Sequence, residues 1–195
     1  GVTQNWTARD ALQVLVRHGR GRGYFSDPYK IIDQRPRTRN QSSLLVRGNH
    51  QVGPRDDVLR WSWRYYRDSF GVRAHTATLD WVVPLGSSWK VTPGLRYHTQ
   101  SAASFYYDPV YHPTIGEPYP IDWPRTFASA DHRLSAFGAV TASIRFDWQI
   151  SSRWAMDLRI DRYEQRSAWR LGGAGSPGLS PMSALQVIAG VSARF

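Results

Sequence analysis

Arginine is the residue type that carries most of the chemistry available to this sequence. Of 25 Lys+Arg, only Lys30 and Lys90 are lysines, leaving 23 arginines against 15 Asp+Glu and a formal net charge of +10. A guanidinium is planar, permanently charged and forked, so it suits carboxylate and phosphate better than a lysine does. Two uses follow: arginines held in internal pairs with aspartates, or arginines left free to attract anions. Nucleic acid is the usual partner of so basic a chain. Here no basic helix or recognisable fold motif accompanies the charge, so no nucleic-acid partner is expected.

Other candidate groups are fewer. His98 stands beside Arg96 and three residues before Ser101. A serine–histidine pair would suit a lipid-acting hydrolase, but such an enzyme needs its nucleophile facing the bilayer, and no matching motif surrounds this pair. Asp108, Tyr111, His112, Glu117 and Asp122 share one stretch and could cradle a divalent cation. The prolines Pro109, Pro113, Pro118, Pro120 and Pro124 argue instead for a stiff, folded-in loop. Gly19-Arg-Gly-Arg-Gly23 lacks the strand-to-helix context and Lys-Ser/Thr ending of a phosphate loop, and its glycines suit a bend or a close packing of loop on strand. With no cysteine, thiolate metal sites, disulfides and cysteine nucleophiles are excluded. No catalytic residue, metal or cofactor is expected.

The elements that position these residues show in the hydrophobic period, which is two. Leu59, Trp61, Trp63 and Tyr65 alternate with Arg60, Ser62, Arg64 and Tyr66. From Leu134 to Ile150 one face reads Leu, Ala, Gly, Val, Ala, Ile, Phe, Trp, Ile, a run of about seventeen residues, well beyond the usual five or six of globular strands. Leu185 to Phe195 repeats the pattern. Weaker alternation at 11–24, 40–53, 73–86, 89–105 and 154–169 brings the number of strands to about eight. Connections alternate in length: short turns at 7–10, 54–57, 86–88 and 151–153, long loops at 25–39, 106–131 and 170–181, with only 69–72 breaking the rule. Short turns at one end and long loops at the other belong to outer-membrane barrels. Trp89, Trp148 and Trp154 lie beside the short turns; Tyr24, Tyr65, Tyr97, Phe105, Tyr106, Tyr107 and Trp169 lie toward the long loops, as two interfacial girdles would. The longest apolar run, Trp81–Leu85, rules out a membrane helix. With 41% apolar residues, 13% aromatics and a mean hydropathy of −0.49, the expectation is one all-β domain over 1–195. Its form is a transmembrane antiparallel up-and-down barrel.

Alternation then assigns the charges. With the apolar face toward lipid, Arg17, Arg47, Arg60, Arg64, Arg96, Arg145, Arg159 and Arg194 line the lumen with His98, and Asp80, Asp147, Asp157 and Asp161 share that face. The excess of arginine favours an anion-selective passage; the alternative is an Arg–Asp network that fills a narrow barrel. Arg20, Arg22, Arg35, Arg37, Arg39, Arg73, Arg125 and Arg170 lie near the long loops, where phosphate-rich lipopolysaccharide is a suitable contact and solvated loop charge the plain alternative.

Three stretches carry a resemblance: Gly21-Arg-Gly-Tyr-Phe-Ser-Asp-Pro-Tyr-Lys-Ile-Ile-Asp33, Arg64-Tyr-Tyr-Arg-Asp-Ser-Phe-Gly71 with Ala74-His-Thr76, and Arg96-Tyr-His-Thr-Gln-Ser-Ala-Ala-Ser-Phe-Tyr106. They resemble a family of uncharacterised bacterial outer-membrane β-barrel proteins, a domain of unknown function. The resemblance covers most of the chain and implies the C-terminal half of a barrel of about sixteen strands, with Gly1-Val-Thr-Gln4 resembling the end of a strand that begins upstream. Any secretion signal is expected upstream or already removed, since neither an initiating Met nor a leader is present. The terminal Phe195 resembles the signal read by the barrel-assembly machinery, which implies a Gram-negative outer membrane. The expected role is a porin-like channel. The alternative is a plugged scaffold barrel holding a periplasmic or surface partner, and an outer-membrane lipid-acting enzyme is the remote one.

Overall fold

The computed structural model describes residues 1–7, 9–30, 32–53, 56–109 and 125–194. Its main element is one antiparallel sheet of nine strands: β1 (Val2–Thr7), β2 (Asp10–Arg22), β4 (Thr38–Val52), β5 (Asp57–Asp68), β6 (Arg73–Leu85), β7 (Trp89–Gln100), β9 (Phe137–Gln149), β10 (Trp154–Arg166) and β11 (Met182–Ala193), paired in that order. Two residues each from two long loops, β3 (Asp33–Gln34) and β8 (Ala128–Ser129), pair as a separate antiparallel ribbon. Every strand of the main sheet neighbours its sequence neighbour in that sheet, so the topology is a pure meander.

Eight of these strands run twelve to fifteen residues. Thirteen residues at about 3.4 Å each, tilted by about 45°, rise roughly 31 Å, close to the thickness of a bilayer's hydrocarbon core. The expected turns and loops fall at opposite ends of the sheet. The end carrying the β4–β5, β6–β7 and β9–β10 turns is short; the other carries the β2–β4, β7–β9 and β10–β11 connections.

Three expectations are corrected. The strands of the main sheet number nine, because residues 2–7 form a paired strand of their own against β2. The sheet is open: β1 and β11 are its edges, and β2 pairs with β1 and β4, not with β11. The long run from Leu134 begins as strand only at Phe137. Asp131 caps a 3-10 turn over His132–Leu134 by accepting from the Arg133 N–H, and Leu134 packs into a loop core instead of a sheet face.

That loop core is where the buried apolar residues of the chain concentrate. Phe70, Val72, Ala103, Phe105 and Leu134 form one cluster, joined by Phe25, Tyr66 and Tyr106. The short β5–β6 connection reaches it because Gly71 adopts φ +90°, a value that side chains rarely tolerate, and this tight turn buries Phe70 completely. Phe105 and Tyr106 therefore belong to the core, which corrects their place in an interfacial girdle.

Candidate functional site

Directly paired residues of an antiparallel sheet point to the same side, so the pairings fix both faces. Arg17 pairs with Ser43, Arg47 with Ser62, Arg60 with Asp80 and Arg64 with Thr76, which pairs with His98; Arg96 pairs with Thr78 and Thr141. Arg145 pairs with Arg159, Asp147 with Asp157 and Asp161 with Ser143. Followed from strand to strand, these pairings put twelve of the thirteen charged and histidine positions assigned to the lumen on one face. Arg194 follows β11 directly, its N–H on the Arg153 carbonyl.

The opposite face is apolar over most of its height. Leu79 pairs with Leu95 and Trp61 with Leu79, and they stand beside Trp63, Trp81, Ile144, Phe146, Leu158 and Val191. Leu79 is 46% exposed, Trp81 48%, Leu95 53% and Val191 63%, so no second layer of described residues covers this face. Trp89 and Trp148, paired beside the short turns, stack with centroids 4.9 Å apart and rings within 7° of parallel.

On the charged face the sheet curls around a cavity of about 1100 Å³. Arg60, Asp80, Arg96, Arg145, Asp147, Asp157, Arg159 and Asp161 line it together; Arg17, Arg47, Arg64 and His98 share the face but lie outside the cavity wall. Lys90 and Tyr163 also line it. Alternation could have found both, since Lys90 keeps step with Arg96 along β7 and Tyr163 with Asp161 along β10.

The charges are segregated across this wall. On β9 and β10, Arg145 reaches Asp147 at 2.7 Å and Asp157 at 3.8 Å, and Arg159 reaches Asp161 at 2.9 Å, so two arginines meet three aspartates. On β2 to β7, Arg17, Arg47, Arg60, Arg64 and Arg96 form no ion pair with a described residue. Asp80, the aspartate assigned to that side, folds instead over Gly94 toward Ser143, in the space that a Cβ would fill. Ion-paired arginines and arginines without an ion pair to a described residue therefore lie on different strands.

His98 and Ser101 are not brought together. His98 meets the Thr76 hydroxyl at 2.9 Å through Nδ1 and Gln100 at 3.3 Å through Nε2, whereas Ser101 donates to the Gly71 carbonyl and accepts from the Arg73 N–H. Of the loop cluster proposed for a cation, Tyr111, His112, Glu117 and Asp122 lie outside the described residues, as does Phe195. Asp108 accepts from the Tyr106 hydroxyl and the Gly178 N–H. No group of three or more ligating side chains occurs among the described residues.

Over the long-loop end of the charged face lies a second cluster that the sequence reading placed at the surface. Arg35 is 10% exposed, and meets Asp33 and Asp131 at 2.7 Å each; Arg133 also meets Asp131, and Arg39 meets Asp68 at 2.6 Å. Burial alone would raise the pKa values of Asp33 and Asp131, but hydrogen bonds outweigh it: those of Arg35, Ser129 and the Asp27 N–H on Asp33, and those of Arg133 and Arg35 on Asp131. Both carboxyls are held below the usual range. Arg125 sits over the Tyr107 ring and Arg170 donates to the Ala174 carbonyl, so these loop arginines too have partners within the loops.

A family model described as "Protein of unknown function (DUF3570)" matches residues 1–192, and the chain belongs to that family. No curated protein and no solved structure matches.

Proposed function

We propose that this chain builds the wall of an outer-membrane β-barrel, in a Gram-negative cell, whose interior favours anions. One observation carries the reading: a nine-stranded sheet leaves one face mostly apolar and, among the described residues, uncovered, with Arg67, Arg73 and the Arg162–Glu164–Arg166 ion pairs on it, while most of the charges on its strands gather on the concave other face. A water-soluble sheet protein covers its apolar face with a second layer, and the buried apolar cluster here sits among the loops. Lipid is the medium that suits such a face. The strand lengths and the alternation of turns and loops agree with it, and in that setting the edges β1 and β11 must be paired into a closed ring, because an unpaired edge cannot face hydrocarbon. A ring of about sixteen strands would leave a water-filled passage. The free arginines of β2–β7 would line one side, and the loop cluster would narrow the outer mouth.

The test has two stages. The chain should fractionate with the outer membrane, and the purified full-length protein should open steps of conductance in a planar bilayer that favour chloride over potassium. Recovery in the soluble fraction would end the membrane reading. A membrane-resident protein with no openings above lipid background would leave the second reading, a plugged scaffold barrel holding a periplasmic or surface partner. The buried Asp33–Arg35–Asp131 cluster over the loop end favours that second reading.

A further inference from the structure

Arg67 on β5 and Arg73 on β6 are directly opposite partners. Their parity is that of Trp63, Tyr65 and His75, so both stand on the apolar face, exposed, just past its end toward the long loops. Residues so paired have Cα atoms about 4.5–5.5 Å apart, and like charges at that spacing repel. No described residue relieves the repulsion. Neither arginine makes an ion pair with a described residue. The adjacent Asp68 points to the other face, where Arg39, the Tyr66 hydroxyl and the N–H groups of Phe70 and Val72 occupy it. The acids on the outer side of β2 and β4–β7 are Asp10 and Asp57, at the opposite, short-turn end.

The surroundings extend the charge. The row through Arg67 and Arg73 continues to Ser42 and then to His18, which hydrogen-bonds Ser42 at 3.0 Å; one pleat farther out, Arg20 pairs with Asn40. One pleat inward, Tyr65 and His75 lie 5.0 Å apart between centroids, and Trp63 stacks against both. An amphipathic aromatic shelf of this kind sits at headgroup level when an apolar face meets lipid. Two unpaired guanidinium forks directly above it stand at the depth of lipid phosphates.

We infer that Arg67 and Arg73, supported by Arg20, form a site for the phosphate group of an anionic lipid in the leaflet on the long-loop side. The inference rests on the membrane placement proposed above and adds a specific lipid contact to it. Phosphate supplies the negative charge and the several acceptor oxygens that two opposed forks require. It also turns a repulsive cross-strand pair into a bridged one.

The experiment titrates bis-phosphorylated lipid A into the purified full-length chain in dodecyl maltoside micelles, read by native mass spectrometry, with phosphatidylcholine and inorganic phosphate as comparison probes. Wild type should retain lipid A in preference to phosphatidylcholine. The Arg67→Gln/Arg73→Gln pair should weaken lipid A binding by about a hundredfold, roughly tenfold for each charge-assisted contact removed. Arg67→Lys/Arg73→Lys should recover part of it. Arg153→Gln, the same charge change as Arg73→Gln but at the short-turn end, should have no effect. Because the glutamine pair removes a repulsion, its β-sheet circular dichroism should match wild type, and the single Arg73→Gln variant should show a partial loss that does not depend on refolding of the double variant. Equal lipid A binding by wild type and the glutamine pair overturns the site. Complete displacement of lipid A by millimolar inorganic phosphate overturns the lipid as its source. Fractionation of the same strains separates the failures: a chain absent from the outer membrane overturns the barrel reading as well, whereas a membrane-resident chain indifferent to both substitutions overturns the site alone.

Discussion

Arg35 and Asp131 lie ninety-six residues apart in the sequence and meet at 2.7 Å inside the loop cluster. The contact ties the β2–β4 connection to the β7–β9 connection, the two segments that also pair through β3 and β8. Arg35 serves two carboxylates at once, so Arg35→Met would leave Asp33 and Asp131 facing each other without their shared cation. Losing one member of a buried ionic group costs about 3–5 kcal/mol. The expected result is rapid trypsin cleavage in the loops of the variant while the strands stay protected. Cleavage at the wild-type rate would show that the cluster does not hold the loops.

Acid should open the same cluster. Asp33 and Asp131 have folded pKa values below their unfolded value of about 4, so their contribution is complete above that value and is lost as pH falls through the folded values. Loop opening, followed by trypsin-independent hydrogen exchange of loop amides, should stay flat from pH 8 to pH 5 and rise only below about pH 4. A midpoint near pH 6 would assign the response to histidine instead.

Charge segregation makes opposite predictions for two sets of residues. Removing a unit charge about 7 Å from a permeating ion changes its energy by about 0.6 kcal/mol in a water-like medium, roughly threefold in local anion concentration. Arg60→Ala and Arg96→Ala, whose guanidiniums have no carboxylate partner among the described residues, should each lower chloride-over-potassium permeability by that order. Asp147→Asn should raise it, since it frees Arg145 from its 2.7 Å contact. Unchanged selectivity in all three variants would remove this wall from the ion path.

How much of this was legible in the sequence depends on the range of the signal. That the charges assigned to the lumen share a face was legible, because alternation is local and, among the described ladders, the irregular register falls between β1 and β2 at Asn5–Thr7 and leaves the other strands in phase. The division between free and paired arginines was not. It depends on which strands adjoin, so Arg145 finds Asp157 only across the β9–β10 pairing. The loop core was hidden for the same reason: Arg35 reads as a surface cation until Asp131 is brought to it. Leu134 misled because its spacing continues a strand pattern while its side chain serves the loop core. The Arg67–Arg73 pair was half visible, with Arg73 placed near the loops and Arg67 overlooked until their register opposed them.

The assignment of faces can be tested directly because the chain has no cysteine. Leu79 and Leu95 are paired on the apolar face, and their chain neighbours Thr78 and Arg96 are paired on the charged one. A single residue step therefore moves a probe from one environment to the other at nearly constant height. Single variants Leu79→Cys, Leu95→Cys, Thr78→Cys and Arg96→Cys are reconstituted in lipid bilayers and treated with a water-soluble maleimide. A thiol must ionise to react, and hydrocarbon suppresses ionisation, so positions 78 and 96 should label about tenfold or more faster than 79 and 95. Detergent cannot produce the same contrast by local sterics alone, because Leu79 and Leu95 are 46% and 53% exposed in the protein itself. Only a medium that excludes water would protect them. Equal labelling at all four positions would mean that water wets both faces, and the apolar face would then need a protein partner, not lipid, to cover it.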